Sequence, residues 1–371
     1  MTKIYILPND LENLTYTDLK VDKITFKNQL TEKDFRSDLN LLRFAILKAY
    51  GARGTLSEDI FREVDKTLSS LDYIKDTKTL CITLGEILSK FPDYHLQVRL
   101  NDELCFKREI KRRNVGKNLN DTDIHWKGII DKDSYIIAIT SFPSGEWPGF
   151  SDFISKAMKN AKRIIIDLRG NGGGDDSIAF RMAEQIADQK IQTPFLSDIK
   201  RNTPETLTIW ENNLLFMKQY FDDPNAKKQI DEYLEVNKYN LKSALNGSLK
   251  EFTEGETNED KNWSYDTSKG FKGDIFILQD KDTGSSGEST IDFFEYFPNV
   301  TKIGYNTIGM IHFGNIGRLT LKQSGVSLNI PTKANRYKDG RFIEYTGIEP
   351  DIVLKDGEDA YKYFVDTYVK N

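Results

Sequence analysis

"RIIIDLRGNGGGDDS", residues 163–177, carries the pattern from which the rest of the chain can be read. Three consecutive isoleucines between Arg163 and Asp167 form a short apolar run, the signature of a strand buried on both faces. The run passes into a loop that is nearly all glycine. Ordering glycine costs more backbone entropy than ordering any other residue. A cluster of it at the end of a buried strand therefore implies that something comes close to the main chain. A dinucleotide loop would need Gly or Ala where Asp175 falls, and a P-loop would need Gly-Lys-Ser/Thr. Asp175 and Asp176 at the following helix start would also repel phosphate. Two readings stay open. One is a tight connection, for which one or two glycines would serve. The other is an oxyanion cradle of backbone N–H groups at a helix N-terminus.

Working outward, "SYIIAITSF" (134–142) and "GDIFILQD" (273–280) are further short apolar runs. The runs at 163 and 273 each lead through a glycine-bearing loop into an amphipathic stretch, "SIAFRMAEQIAD" or "STIDFFEYF". That alternation predicts an α/β core over 134–371. Ahead of it, residues 1–105 predict a helical domain. "TEKDFRSDLNLLRFAILKAY" places Phe35, Leu39, Leu42, Ile46 and Tyr50 on one stripe, with Thr31 and Asp34 as a capped start. Ile60, Phe61, Val64, Leu68 and Leu71 mark a second helix, and Leu80, Leu84, Ile87 and Leu88 a third, which stops at "FPDYH". "HLQVRL" and "LCFKREI" alternate like strands, and 106–133 is taken as a linker or hairpin. Residues 200–265 are polar and aromatic-rich and read as a helical insertion lying over a cleft.

The 371 residues exceed what one core usually holds, and 38% hydrophobic with 29% charged residues is an ordinary globular balance. The formal net charge of -5, with no basic stripe, argues against a nucleic-acid partner. Cys81 and Cys105 could form one disulfide, but two scattered thiols are more often simply buried. The N-terminal apolar run is too short for a signal peptide and no stretch approaches membrane-span length, so a cytoplasmic chain is expected. A secreted chain without its leader would read the same.

"TGSSGE" (283–288) puts Ser285 and Ser286 at a strand-to-helix elbow, where a serine is exposed and the next N–H is free. The plain alternative is a helix cap with Glu288 or Glu295 nearby. A nucleophilic serine needs a base. His95, His125 and His312 are the only histidines, and spacing alone does not choose among them.

Together, "IIIDLRGNGGG", "TGSSGE", "GYNTIGM" and "YTGIEPDI" resemble the tail-specific, or C-terminal processing, serine peptidases, over residues 31 to 355 and most strongly over 134–355. The resemblance implies a crotonase-like, ClpP-like core of stacked sheets and helices. It implies Ser285 as nucleophile, three residues before Glu288. It also implies an oxyanion hole from the Ser286 N–H and the Gly172–Gly173–Gly174 run, Gly173 above all. The branch with a Ser-Lys dyad carries lysine where this chain has Met310, and Lys322 lies in an apparent hairpin and reads as solvated. The histidine-using branch, similar to the tricorn core protease and interphotoreceptor retinoid-binding protein repeats, places its histidine in an Asp-x-His segment. "PDYHL" fits and makes His95 the base, with Glu344 as its orienting carboxylate. That branch has serine just before the histidine, where this chain has Tyr94. About 40 residues between His95 and the core leave no room for a PDZ domain.

The implied function is a serine endopeptidase acting on peptide or protein substrates, with no metal or cofactor. An imidazole base implies an activity ionisation at about 6.5, raised if Glu344 lies alongside. Glu288 is expected to anchor the elbow, and Asp167 with Arg169 to form a structural ion pair. A binding protein on the same fold, or a crotonase-type acyl-CoA enzyme, are the alternatives.

Overall fold

A computed structural model describes residues 6–21, 26–106, 125–220, 222, 224–255 and 263–370. The chain divides into two compact units, each assembled from separate stretches: Met1–Arg108, Ser197–Glu256 and His312–Arg336 in the first, and Glu109–Leu196, Thr257–Ile311 and Tyr337–Asn371 in the second.

The second unit is built on the isoleucine runs. Its sheet has the strand order Ile352–Val353, Val300–Gly304, Asp274–Gln279, Arg163–Asp167, Ser134–Ile139, Trp126–Asp131. All neighbours are parallel except the last pair, an antiparallel hairpin. Side chains alternate across a strand, and the three isoleucines divide accordingly. Ile164 and Ile166 join the core beneath the helices Phe150–Asn160, Ser177–Ala187 and Ser286–Phe293. Ile165 joins the opposite core, with Phe276, Leu278 and Phe364 of the C-terminal helix Ala360–Phe364. Both faces are covered, which is why the strand needs an unbroken apolar run rather than alternation. The glycine loop and the serine elbow both leave the C-terminal ends of adjacent central strands, Arg163–Asp167 and Asp274–Gln279.

In the first unit the helix Glu32–Lys48 begins in the expected capping box: Thr31 Oγ1 accepts from Asp34 N at 3.2 Å and Asp34 Oδ2 from Thr31 N at 3.1 Å. Phe35, Leu39, Leu42, Ile46 and Tyr50 are all buried, as their stripe requires. Helices Glu58–Ser69 and Thr77–Leu88 follow, burying Phe61, Val64, Leu68, Leu80, Leu84 and Leu88. "HLQVRL" supplies the strand Gln97–Leu100, paired with Ser327–Tyr337. Of "LCFKREI" (104–110), Leu104 closes the short strand Glu103–Leu104, Cys105 and Phe106 lie outside any strand, and 107–110 lie outside the described residues. The segment read as an insertion is indeed helical, Pro204–Tyr220 and Pro224–Leu245. It clusters with the N-terminal helices, as does the hairpin of Phe313–Thr320 with Ser327–Tyr337 that carries Lys322 at its turn.

The cysteines depart from the expectation of simple burial. Cys81, on the third helix, and Cys105, just after Glu103–Leu104, are joined as a disulfide with a Cα–Cα separation of 5.7 Å. The packing makes this possible: Gly85, one turn along the helix, lacks a Cβ that would stand 2.4 Å from Phe106 Cβ, so the chain after Cys105 passes close to the helix. A separation of 24 residues holds no local hint of that approach. No helix among the described residues is long and apolar enough to cross a membrane.

Candidate active site

The glycine loop and the serine elbow are stitched into one body within the second unit. Gly170 N donates to Asp280 Oδ1 at 2.9 Å, Thr283 Oγ1 to Leu168 O at 2.9 Å, Gly284 N to Asn171 O at 2.9 Å, and Ser286 Oγ to Gly174 O at 2.6 Å. On its other side the loop is held by the chain leaving the neighbouring strand. Phe142 N donates to Gly173 O at 3.0 Å, and Asp175 N to Phe142 O at 2.7 Å.

The glycines are not equivalent. Gly173 has φ +105°, and a Cβ there would lie 2.7 Å from Ser285 Cβ and 2.8 Å from Ser286 N. Gly174 has φ +139°, and its Cβ would lie 2.0 Å from Phe142 O. Gly172 has ordinary φ, and a Cβ would meet nothing within 4 Å. Bare backbone is therefore demanded at Gly173 and Gly174, where two other stretches of main chain close in.

Ser285 sits at φ 52°, ψ −120°, immediately before the helix Ser286–Phe293. A non-glycine residue there costs on the order of 1–3 kcal/mol and persists only when its surroundings hold it. What holds it is Glu288, fully buried one turn into the helix. Its carboxylate accepts from Ser285 N at 3.1 Å, Thr307 Oγ1 at 2.5 Å, Gly309 N at 2.7 Å and Met310 N at 2.8 Å. Burial pushes the Glu288 carboxyl up from the ordinary range, while these donors pull it back. Met310, where the Ser-Lys pattern has its base, thus contributes its backbone to the clamp. The clamp extends to the Glu344 segment, since Tyr345 N donates to Gly309 O at 2.9 Å and Ile348 N to Thr307 Oγ1 at 2.7 Å. Glu344 itself is buried.

At the N-terminus of a helix the first N–H groups have no helical partner. Among the described residues no protein atom accepts the Ser286 N–H, which faces Gly173. The Gly173 N–H does have an acceptor, Asn171 Oδ1 at 2.9 Å, and the Asn171 amide nitrogen donates to Ile139 O at 3.0 Å. Asn171 is a participant that residue patterns did not single out, although an asparagine two residues before a strained glycine is a recognisable Asx signal.

His95 belongs to the first unit, and Ser285, Ser286, Glu344 and the glycine loop to the second. Its turn is set by Asp93, whose Oδ1 accepts from His95 N at 2.8 Å and Leu96 N at 3.2 Å, and whose Oδ2 accepts from Tyr50 OH at 2.5 Å. That is the physical content of the Asp-x-His spacing. Burial pushes the His95 imidazole down to about 4, the opposite direction from the rise that a neighbouring glutamate would cause. Of the other histidines, His125 Nδ1 lies 3.1 Å from Ser141 Oγ in the second unit, and His312 Nδ1 lies 3.3 Å from Asn335 O in the first. Asp167 and Arg169 form the expected pair, bidentate at 2.8 and 2.7 Å, with Asp359 as a further partner of Arg169. Glu295 pairs with Arg341 rather than capping the elbow helix.

A family model, peptidase family S41, matches residues 134–354, more than half of the chain. Among solved structures, the chain is similar to mature CPAF complexed with lactacystin, at 12% identity and a TM-score of 0.54, over 91% of this chain and 97% of that one. It is also similar to a peptidase candidate from Parabacteroides merdae ATCC 43184, at 15% identity and a TM-score of 0.53, over 91% and 96%. At such identities the likeness speaks for the fold alone. No curated protein sequence matches.

Proposed function

The chain belongs to peptidase family S41 and is a serine peptidase, and on that premise we propose that it is an endopeptidase working through Ser285, His95 and Glu344. The Ser285 hydroxyl attacks the scissile carbonyl carbon as its proton passes to neutral His95, and the carbonyl π pair becomes the oxyanion. The intermediate collapses with cleavage of the C–N bond, and the imidazolium returns the proton to the leaving amine. Water then repeats the sequence on the acyl-enzyme. Glu344 fixes the imidazole tautomer and stabilises its charged form.

The observation that carries this reading is the elbow. A strained Ser285 is clamped by a buried carboxylate, and the adjacent Ser286 N–H has no protein acceptor among the described residues. Such a preorganised donor is worth roughly 3–4 kcal/mol when it meets a developing oxyanion. The second donor comes from the glycine run. If it is Gly173, its N–H is shared with or released by Asn171 Oδ1 as the oxyanion forms.

The test is labelling with a phosphonylating serine reagent, followed by peptide mapping and turnover of a peptide library. Modification of Ser285, and loss of on the order of 10⁴-fold in kcat in Ser285→Ala with an unchanged melting curve, is expected. Labelling at Ser286, or undiminished turnover by Ser285→Ala, overturns the assignment. Thioester hydrolysis that survives Ser285→Ala would point to acyl-CoA chemistry instead.

A further inference from the structure

Beside the glycine loop, within the same unit, lies a cleft of about 440 Å³, in the range of small-ligand sites. One wall is the helix Ser177–Ala187, which the loop runs into, presenting Ile178, Arg181 and Met182. The other is the turn before the helix Phe150–Asn160, presenting Glu146, Trp147 and Phe150. This wall is tied to the loop: Ser144 Oγ donates to Asp175 Oδ2 at 3.1 Å, and Trp147 stacks on Phe142, whose backbone brackets Gly173 to Asp175.

Besides its apolar side chains the cleft is lined by Ser151 and Gln185, which hydrogen-bond each other at 3.0 Å, and by the charged Glu146 and Arg181. Arg181 reaches only Ser177 Oγ, at 3.4 Å, and no carboxylate among the described residues lies within ion-pair distance of it. Arg181 is exposed, and an exposed guanidinium with no anionic partner is complementary to a carboxylate arriving from outside. Arg181 stands about 6 Å along the helix from Ser177, at 1.5 Å per residue.

We propose that this cleft is a specificity subsite that binds an acidic side chain of the peptide substrate through Arg181, with the neighbouring substrate residue packed on Trp147. The proposal rests on the peptidase reading. Because that reaction cuts within a chain, the carboxylate is that of an interior Asp or Glu. Glu146 gives the cleft one negative pole, so removing its charge should sharpen the preference.

The test uses amidated peptides differing at one position, Asp, Asn or Lys, scanned through four residues on each side of the bond. They are turned over by wild type, Arg181→Glu and Glu146→Gln, and their equilibrium binding to Ser285→Ala and Ser285→Ala/Arg181→Glu is measured in parallel. At one position Asp should exceed Lys by about fivefold or more in kcat/KM and in affinity, Arg181→Glu should invert that order, and Glu146→Gln should widen it. An Asp-over-Lys order unchanged by Arg181→Glu in both assays overturns the subsite, and so does an acidic preference seen only in peptides with a free C-terminus. If no peptide is cut by wild type, the peptidase reading fails, and the binding arm still decides the cleft.

Discussion

Replacing Gly173 by alanine, against the same change at Gly172, separates a catalytic backbone from a merely flexible one. At Gly173 the new Cβ would stand 2.7 Å from Ser285 Cβ, 2.8 Å from Ser286 N and 3.1 Å from Ser285 Oγ, at φ +105°. The backbone strain alone costs about 1–3 kcal/mol for a residue with a Cβ. Relief of the overlap must move Ser285 or Ser286, both tied down, the one by Glu288 and the other by Gly174 O. A total loss of roughly 2–4 kcal/mol is expected, a fall in Tm of about 3–5 °C for a chain of 371 residues. Displacing the Ser286 N–H should remove about 10²–10³ from kcat, with KM less affected. At Gly172 a Cβ meets nothing within 4 Å and φ is ordinary, so alanine there should leave both turnover and Tm near wild type. Steady-state kinetics on one peptide and thermal melts of the two variants decide the matter. Wild-type turnover in Gly173→Ala, or equal losses in both variants, would refute the assignment of this loop to the oxyanion.

Because burial holds the His95 imidazole down to about 4, kcat/KM should rise through an acid limb near that value rather than near 6.5, and His95→Ala should be nearly inactive while Lys322→Ala works normally. The same depression makes the fold resist a proton that the unfolded chain accepts at about 6.5. Stability present above that pH should fall by about 3 kcal/mol as pH drops through 4, measurable in urea melts at pH 7 and 4. A limb at or above 6.5 would show that the base is not a desolvated imidazole. Reduction of Cys81–Cys105, which closes a separation of 24 residues, should cost about 3–4 kcal/mol by loop entropy. Equal urea midpoints for oxidised protein and the Cys81→Ser/Cys105→Ser variant would show that the link adds nothing.

Some of this was legible along the chain because it is written in local periods and local chemistry. The isoleucine run needs only the two-residue alternation of a strand covered on both faces, and Thr31 with Asp34 needs only one helical turn. The elbow was visible in the same way, since Ser285 and Glu288 are one turn apart. The tertiary structure alone could decide what those pieces meet. Nothing near Gly172 distinguishes it from Gly173; the difference is made by Ser285 and Ser286, more than 110 residues further on. Nor does any local pattern say that the acceptors of Glu288 would be shared with Gly309 and Met310, that Asn171 would take the Gly173 N–H, or that Cys105 would return to Cys81. Residues 200–265 look like an insertion in sequence because periodicity reports a helix face without reporting its partner. Which core that face completes is set by apolar burial and backbone hydrogen bonding between stretches far apart in the chain, and those are properties of the folded coordinates.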